Sequence, residues 1–450
     1  MKLRPYQEIG LQDIKKFIDS DLDNGIYVSP VGTGKSILIA ESVKLFKEPT
    51  LVLQPSKELL TQNYEKYTNY GFEASIYSSS LKSKQISDVT FATIGSIVGD
   101  LDSFKRFKNI IIDECHFASK EGNQLDIVIQ KLGIKKVLGF TATPILMKNT
   151  MEGSYLQIMS RSRTCLFDNI IHVTQVEDIL PYWSKIEYRI SRDSDSKMLR
   201  LNSTGNDFTA DSLKKFYDSN SIEFKILKSI DWLKSQAVNQ SLIFVPTVDE
   251  AESLMKQVKG SEYLHGGTKP KDRERIVEGF KSGKISYVFN VNVLGTGFDY
   301  PNLPSVIHGR PTGSLVVYYQ HIGRIVRQGD KKCAYFLDLA GNVDRFGKIE
   351  TFRFKEDKGK WDLYAGDKKI TQNGFKPRRI SQLEIDELEA EIRSYQLSFG
   401  KHRGKLLVNV VKEDKMYLKW LASDKFEPLT DGATRDKEAA KILLIKLNLI

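Results

Sequence analysis

The sequence predicts an α/β protein with two parallel-sheet domains in tandem and a small α+β C-terminal domain. Three observations carry that prediction. Short, continuous apolar runs alternate with helical patterns, which is how parallel strands covered on both faces look in a sequence. Several runs end in polar clusters, and open α/β sheets gather their ligand sites at the carboxyl ends of strands. The alternation fills the first 140 residues, resumes at residue 241 and stops after Asp338.

At 450 residues, 40% hydrophobic and 28% charged, the chain is long enough for several domains, each with its own core. No apolar stretch approaches the ~20 residues needed to span a bilayer, so no membrane association is expected. The N-terminus, MKLRPYQEIG, lacks an apolar signal region, and a cytoplasmic location is expected. Cys115, Cys165 and Cys333 lie far apart without zinc spacing, which fits a reducing compartment and no structural zinc. A net charge of +10 and a pI of 9.1 favour a polyanionic partner.

In chain order, LRPYQ (residues 3–7) precedes a helical pattern through Ile9, Leu11, Ile14, Phe17 and Ile18. Arg4 and Gln7 are suited to stacking on and reading an adenine edge, or simply to capping the helix. The apolar run 25–28 then leads into SPVGTGKS (residues 29–36) and an amphipathic run over 37–46. Strand, Gly-rich turn, Lys-Ser and helix wrap backbone N–H groups around nucleotide phosphates. Gly32 and Gly34 admit close approach of the anion. Lys35 can reach the outer phosphates, and the Ser36 hydroxyl can ligate Mg2+. Ser29 stands where the GxxxxGK[ST] pattern has its first glycine.

The remaining runs of the first sheet are 51–53, 89–91, 110–112 and 137–140, with polar ends QPSK (54–57), ATIGS (92–96), DECH (113–116) and TATP (141–144). Asp113, ending a buried run beside the phosphate loop, can hold Mg2+ through water, and Glu114 can orient or deprotonate an attacking water. Adjacent carboxylates at an apolar mouth call for a nearby cation; a solvated acidic turn is the alternative. Residues 145–235 are less regular, with an aromatic pair at Tyr182 and Trp183 and a polar loop over 192–212. A domain switch near residue 150 gives expected domains of 1–150, 151–345 and 346–450.

The second set of runs, 242–245, 287–291, 306–307 and 334–337, has no Gly-rich phosphate loop. Its polar ends include PT (246–247), HGG (265–267), LGTGFD (294–299) and QHIGRIVR (320–327). Arg324 and Arg327, three apart in an expected helix, share a face. Two guanidiniums there could reach across a cleft and stabilise charge on a transferring phosphoryl group.

As an ordered set, LRPYQ, SPVGTGKS, LVLQPSKELL, ATIGS, DECH, FTATP, LIFVPT, LHGGT, VLGTGFDYP and QHIGRIVR resemble the motifs of superfamily 2 helicases. They follow that family's order over residues 3–327. The resemblance implies two RecA-like domains with ATP and Mg2+ as cofactors. Arg4 and Gln7 would then read adenine, and Gly32, Thr33, Gly34, Lys35 and Ser36 would bind phosphates and Mg2+. Asp113 (with Ser36 the implied metal ligand) and Glu114 would drive hydrolysis. His116, Thr141 and Thr143 would couple nucleotide to strand, and Gly297 and Asp299 would sense the nucleotide. Gln320, Arg324 and Arg327 would complete the catalytic set from the second domain. Pro55, Ser56, Thr93, Gly95, Ser96, Thr247, His265, Gly266 and Thr296 would line the nucleic-acid track. DECH, QHIGRIVR and the compact length are most similar to phage-encoded DNA helicases of the UvsW-like, phage T5-type class. That implies a monomeric motor acting on forked and branched DNA in a host cytoplasm. An RNA helicase and a duplex translocase that never separates strands share the same motifs, and a restriction-type enzyme with a nuclease tail is a third alternative.

Past Asp338 the sequence predicts a charged hairpin over 349–370, a basic patch at 376–379 and an acidic helix-like run over 383–392. Gly400 and Gly404 bracket Lys401, His402 and Arg403, with Lys405 next, so a tight turn could present these side chains together to DNA phosphates, or could simply be solvated. The FGKHRGK…YLKWL pattern is similar to a small module found beside nucleases and other DNA enzymes.

Overall fold

The computed structural model describes residues 3–117, 123–150, 153–162, 165–202, 207–295, 298–331, 333–371, 390–423, 426, 428 and 430–447. Helix α1 (Pro5–Ile18) opens the chain, its first turn set by Pro5, whose ring fixes φ where no donor is needed. Strand β1 (Asn24–Val28) leads through the phosphate loop into α2 (Lys35–Leu45), and β2 (Thr50–Gln54) leads into α3 (Lys57–Asn69). Ser56 caps α3 by accepting from the Leu59 N–H at 3.3 Å. Then follow β3 (Ser75–Ser78), β4 (Ser83–Lys84), β5 (Val89–Thr93), β6 (Asn109–Asp113) and β7 (Lys136–Thr141). A hairpin, β8 (Ile145–Thr150) with β9 (Gly153–Ile158), precedes β10 (Ile170–Val173).

The first sheet has the order β10-β1-β7-β6-β2-β5-β3-β4, parallel except for the β3–β4 pair. Strands β2 and β6 are buried at every position, as continuous apolar runs require. The order sorts the polar strand ends into two groups. On β1, β7 and β6 the phosphate loop, Thr141 and Asp113 stand side by side, with Val28 opposite Thr141 and Asp113 opposite Phe140. On β2 and β5, Gln54 stands opposite Thr93.

Because β10 covers the free edge of β1, the first sheet takes the chain through Val173, and the second opens only with β11 (Ile186–Ile190). The sheets therefore change later than residue 150. The second sheet adds β12 (Ser241–Phe244), β13 (Ser261–Leu264), β14 (Tyr287–Asn290), β15 (Ser305–His308) and β16 (Ala334–Asp338), in the order β11-β16-β15-β12-β14-β13, all parallel. The two sheets are tandem RecA-like layers.

An antiparallel sheet, β17 (Phe352–Asp357), β18 (Lys360–Ala365) and β19 (Lys368–Lys369), follows. Phe352, Phe354 and Leu363 join the main hydrophobic core, and Arg161 grips Asp362 with two bonds of 2.9 and 3.2 Å. This hairpin therefore belongs to the first compact unit, which comprises 1–147 and 156–371. The second unit comprises 148–155 and 372–450. Its described C-terminal part is helical, with Leu407, Val410, Leu418, Leu421 and Leu443 in a core of its own. Buried Asp436 ties it together, accepting from the Tyr395 hydroxyl (2.9 Å) and the Ser398 N–H (2.8 Å). The basic patch 376–379 and most of the acidic run 383–392 lie outside the described residues. Among the described residues no helix is long and apolar enough to cross a membrane.

The strand ends of the second sheet meet in a buried polar network. His308 lies 2.7 Å from His321 through Nε2 and 2.9 Å from the Asn342 amide through Nδ1, while the His321 ring stacks on Phe244 at 3.6 Å. Burial, aided by Arg310, pushes His308 down to about 3, and burial also lowers His321. Both rings are therefore neutral in the folded protein, whereas an unfolded histidine titrates near 6.5. The contribution is intact above pH ~6.5 and is lost as pH falls toward 3, because the unfolded chain takes up protons that the fold refuses. At pH 4.5, His308 alone should cost roughly 3 kcal/mol. Urea unfolding followed by tryptophan fluorescence should show that loss between pH 7 and 4.5, and His308→Asn should flatten the slope.

Candidate functional site

Val28 ends β1, and the chain turns through 29–34 before entering α2 at Lys35. Gly34 sits at φ 79°, a left-handed conformation in which a side chain would be strained. Ser29 is not in that region, so the position does not require a glycine. Its hydroxyl instead lies 2.6 Å from the Thr33 hydroxyl, which donates to the Pro30 carbonyl at 2.9 Å and closes the loop from inside. From α1, Gln7 Nε2 (2.9 Å) and the Tyr6 hydroxyl (3.0 Å) both donate to the Thr33 carbonyl. Gln7 Oε1 accepts from the Arg4 N–H at 2.9 Å, so the amide braces the loop against the helix start. The Arg4 guanidinium lies 4.3 Å over the Tyr182 ring.

The two carboxylates that end β6 stand in different surroundings. Lys35 Nζ contacts Glu114 Oε1 at 2.7 Å. Burial would raise the Glu114 carboxyl, but Lys35, His116 and Arg324 outweigh it and hold it below the ordinary value. Asp113 accepts from Asn63 Nδ2 at 2.7 Å, and burial together with the Glu114 charge pushes it up to about 6. Glu114 has φ 49°, uncommon for a residue with a side chain and typical of strain held at functional sites. Ser36 donates to Asn63 Oδ1 at 2.6 Å, so one amide touches both residues implied as metal ligands.

The other wall of the cleft comes from the second sheet. The helix Leu315–Ile322 ends before Arg324, so Arg324 and Arg327 do not share a helical face as expected. The chain turns in short i→i+3 steps there, with the Arg324 N–H bonded to His321 O at 3.2 Å. Gly323 lets that turn pack against the phosphate loop, because a Cβ there would stand 2.9 Å from the Val31 side chain. Both arginines still reach the cleft. Arg324 donates to the carbonyls of Phe298 (2.5 Å) and Gly295 (3.0 Å), and burial lowers it to about 10. Arg327 pairs with Asp299, which also receives Gln62 Nε2 at 2.9 Å and Lys66 Nζ at 3.4 Å from α3. Thr296 and Gly297 lie outside the described residues.

Together these groups line one cavity of about 320 Å³, with Arg4, residues 31–36, Asn63, Lys66, Asp113, Glu114 and Thr143 on one side and Asp299, Gln320, Arg324 and Arg327 on the other. Five cationic and three anionic side chains face it, an excess that suits a magnesium nucleotide carrying about two negative charges. Mg2+ would be held by Ser36 and Asp113, the usual sparse protein set beside phosphate oxygens, and when bound it supplies charge neutralisation at the transferring phosphoryl group. Glu114, kept ionised beside Lys35, is placed to accept a proton.

A second cavity of about 590 Å³ joins Pro55, Ser56, Thr93 and Gly95 to Asp113, Glu114 and Phe117. Thr93 and Ser96 share a hydroxyl contact of 2.8 Å at its edge. Thr247, His265 and Gly266 lie past the ends of β12 and β13 and are not among that cavity's lining residues. Glu114 faces both cavities. His116 Nδ1 meets Thr141 Oγ1 at 2.9 Å, and that oxygen accepts the Thr143 N–H at 3.0 Å, so the ends of β6 and β7 are physically linked. Burial lowers His116 to about 4, which keeps the link neutral.

In the C-terminal unit, the turn does not present its cations together. Lys401 (2.6 Å) and His402 (2.9 Å) converge on Asp414, and Lys405 pairs with Glu413 at 2.7 Å. The Asp414 carboxylate draws both, and it also caps the helix Lys415–Ala422 by accepting from the Tyr417 N–H at 3.1 Å. Arg403 has no carboxylate partner among the described residues, and Trp420 is 45% exposed near the same turn, its ring 5.7 Å from Tyr417.

Sequence reasoning missed Gln62, Asn63, Lys66 and Trp183. Trp183 Nε1 donates to the Val31 carbonyl at 3.0 Å, supporting the phosphate loop from 152 residues away. The α3 residues sit in an ordinary amphipathic helix, where the spacing of Gln62 and Lys66 signals only a shared face.

Residues 1–146 match the family model described as Type III restriction enzyme, res subunit, and residues 223–329 match the Helicase conserved C-terminal domain. A 51.5 kDa protein of a Lactococcus phage (isolate 7-9) is 25% identical over 419 residues, 88% of this chain and 84% of that one. The ATP-dependent RNA helicase DBP5 of Saccharomyces cerevisiae is 23% identical over 402 residues, 80% of this chain and 75% of that one. Among solved structures, the ATP-dependent Type ISP restriction-modification enzyme LlaBIII bound to DNA superposes with a TM-score of 0.53 at 16% identity. That likeness covers 76% of this chain but 28% of LlaBIII, and it speaks for the fold.

Replacing Asn63 with Ala removes the amide that orients Asp113 and meets Ser36. ATP turnover should fall roughly ten- to a hundredfold, and the Mg2+ concentration for half-maximal rate should rise. A magnesium titration of the steady-state rate, with circular dichroism to verify the fold, measures both.

Proposed function

From the premise that this chain is a superfamily 2 helicase motor, in which hydrolysis of ATP with Mg2+ is coupled to movement on nucleic acid, we propose that it is a DNA helicase that remodels forked and branched DNA. The observation that supports the motor is a cavity lined by groups from both sheets; the fork-remodelling part rests on the likeness of its motifs to phage DNA helicases. Lys35 and the phosphate loop hold the phosphates, Glu114 activates water, and Arg324 and Arg327 stabilise charge from the opposite wall. ATP then favours the closed cleft by touching both domains, and hydrolysis releases it. The link from His116 to Thr141 and Thr143 carries that change to the track formed by Pro55, Ser56, Thr93, Gly95 and Ser96 on one sheet and Thr247, His265 and Gly266 on the other, with Thr296 assigned to it from the sequence motif alone.

A polyanionic partner is supported by the basic balance of the chain, and DNA as the polymer by a relative described as Putative DNA 3'-5' helicase Rad25, of Halobacterium salinarum, 24% identical over 374 residues. The C-terminal unit is the fork-gripping element in this reading, through Arg403 and the exposed Trp420 ring, a pairing of cation and stacking platform that suits nucleic acid. The match of residues 1–146 to a restriction-enzyme subunit favours, as a second reading, a duplex translocase without strand separation.

Lys35→Ala should abolish ATP hydrolysis while leaving DNA affinity within about twofold, since the strand is held mainly by other residues. Continued turnover by that variant would overturn the assignment. In the full chain, Arg403→Ala with Trp420→Ala should weaken binding to forked DNA roughly tenfold and leave ATPase stimulation by single strands unchanged. Strand displacement on forks and four-way junctions, set beside stimulation by RNA, separates the proposal from its alternatives. Hydrolysis stimulated only by RNA, or by duplex without displacement, would sink it.

A further inference from the structure

Helix α3 places Glu58, Gln62 and Lys66 four residues apart, on one face. All three meet the domain of the second sheet. Glu58 Oε1 lies 3.2 Å from Arg273 Nη1, while Gln62 Nε2 and Lys66 Nζ both approach Asp299 Oδ2, at 2.9 and 3.4 Å. The other oxygen of Asp299 pairs with Arg327. The carboxylate of Asp299 is thus shared between two domains, with Oδ2 turned to α3 and Oδ1 to Arg327.

This sharing bears on how an arginine can leave its partner. A half-buried carboxylate that loses its only cation is left uncompensated, and that cost would tie Arg327 to Asp299. A second cation already on the far oxygen removes the penalty. Resting on the reading of Arg327 given above, we propose that Lys66, with Gln62, is a positioning residue that keeps Asp299 paired when Arg327 turns toward the phosphoryl group, so that α3 sets how readily the second domain delivers its arginine. Lys66 lines the nucleotide cavity itself, so the exchange takes place inside the closed cleft. Burial and the nearby Arg327 lower the Lys66 amine, as expected where two cations compete for one carboxylate. Glu58 and Arg273 hold the outer end of the same stripe, where exposure makes their pair weak.

The test uses the full chain at saturating nucleic acid and separates kcat from KM. Lys66→Ala should lower kcat about tenfold while KM for ATP moves less than about threefold, and Lys66→Arg should restore most of the rate. In a background of Asp299→Asn, where no carboxylate retains Arg327, Lys66→Ala should change kcat less than twofold. A wild-type kcat for Lys66→Ala, or an undiminished tenfold loss in the Asp299→Asn background, would overturn the proposal. Binding of a fluorescent ATP analogue confirms that each variant is folded; if Lys66→Ala does not bind it, the comparison of Lys66→Arg with Lys66→Gln decides, equal rates counting against the proposal. Arg327→Ala distinguishes the two layers. If that variant keeps its kcat, the role of Arg327 falls and this proposal with it; if it is inactive while Lys66→Ala is normal, only the role of Lys66 falls.

Discussion

Every cation that lines the cleft is held by a group of opposite polarity, and the rest of the site follows from that constraint. Lys35 rests on Glu114, Arg327 on Asp299, Arg324 on the carbonyls of Phe298 and Gly295, and Arg4 on the Tyr182 ring. A guanidinium or ammonium out of water must be compensated, so a cavity built for a polyanion needs acceptors to hold its cations. Those acceptors are the groups that a nucleotide would replace. Nucleotide binding would then be an exchange of partners, and at Glu114 it would free the carboxylate from Lys35.

The same constraint explains why the site is split between two sheets. One sheet supplies a loop of N–H groups, a lysine and two carboxylates at the ends of β1, β6 and β7. Its opposing cations come from the turn after the helix Leu315–Ile322, brought within reach because Gly323 lets Val31 pack directly on the backbone. A side chain at 323 would push that turn away from the phosphate loop. The cleft is held together at two further points, by Trp183 on the Val31 carbonyl and by the α3 stripe on Asp299. Positions chosen for chemistry are thus interleaved with positions that only fix the spacing of the two domains.

Glu114 belongs to both cavities, and its backbone conformation is uncommon for a residue with a side chain. At a residue shared by two cavities, such strain could be relieved or reinforced by a ligand on either side. The neutral His116–Thr141 contact beside it provides a rigid path that adds no competing charge.

The sequence determined the parallel sheets, the phosphate loop and the identity of the polar strand ends, because apolar runs and Gly-Lys-Ser chemistry are local properties of the chain. It did not determine where the first domain stops, since β10 joins that sheet only by finding the edge of β1 far away in sequence. Nor did it reveal Asn63, Lys66 or Trp183, which sit in unremarkable segments and acquire a role through contacts across 50 to 233 residues. The arginine pair shows the division most clearly. QHIGRIVR announced two guanidiniums, but a helical spacing argument put them on one face, and the structure ends the helix at Ile322 instead. Close packing between domains decides such points, and the pattern of one strand or helix carries no record of what another will press against it.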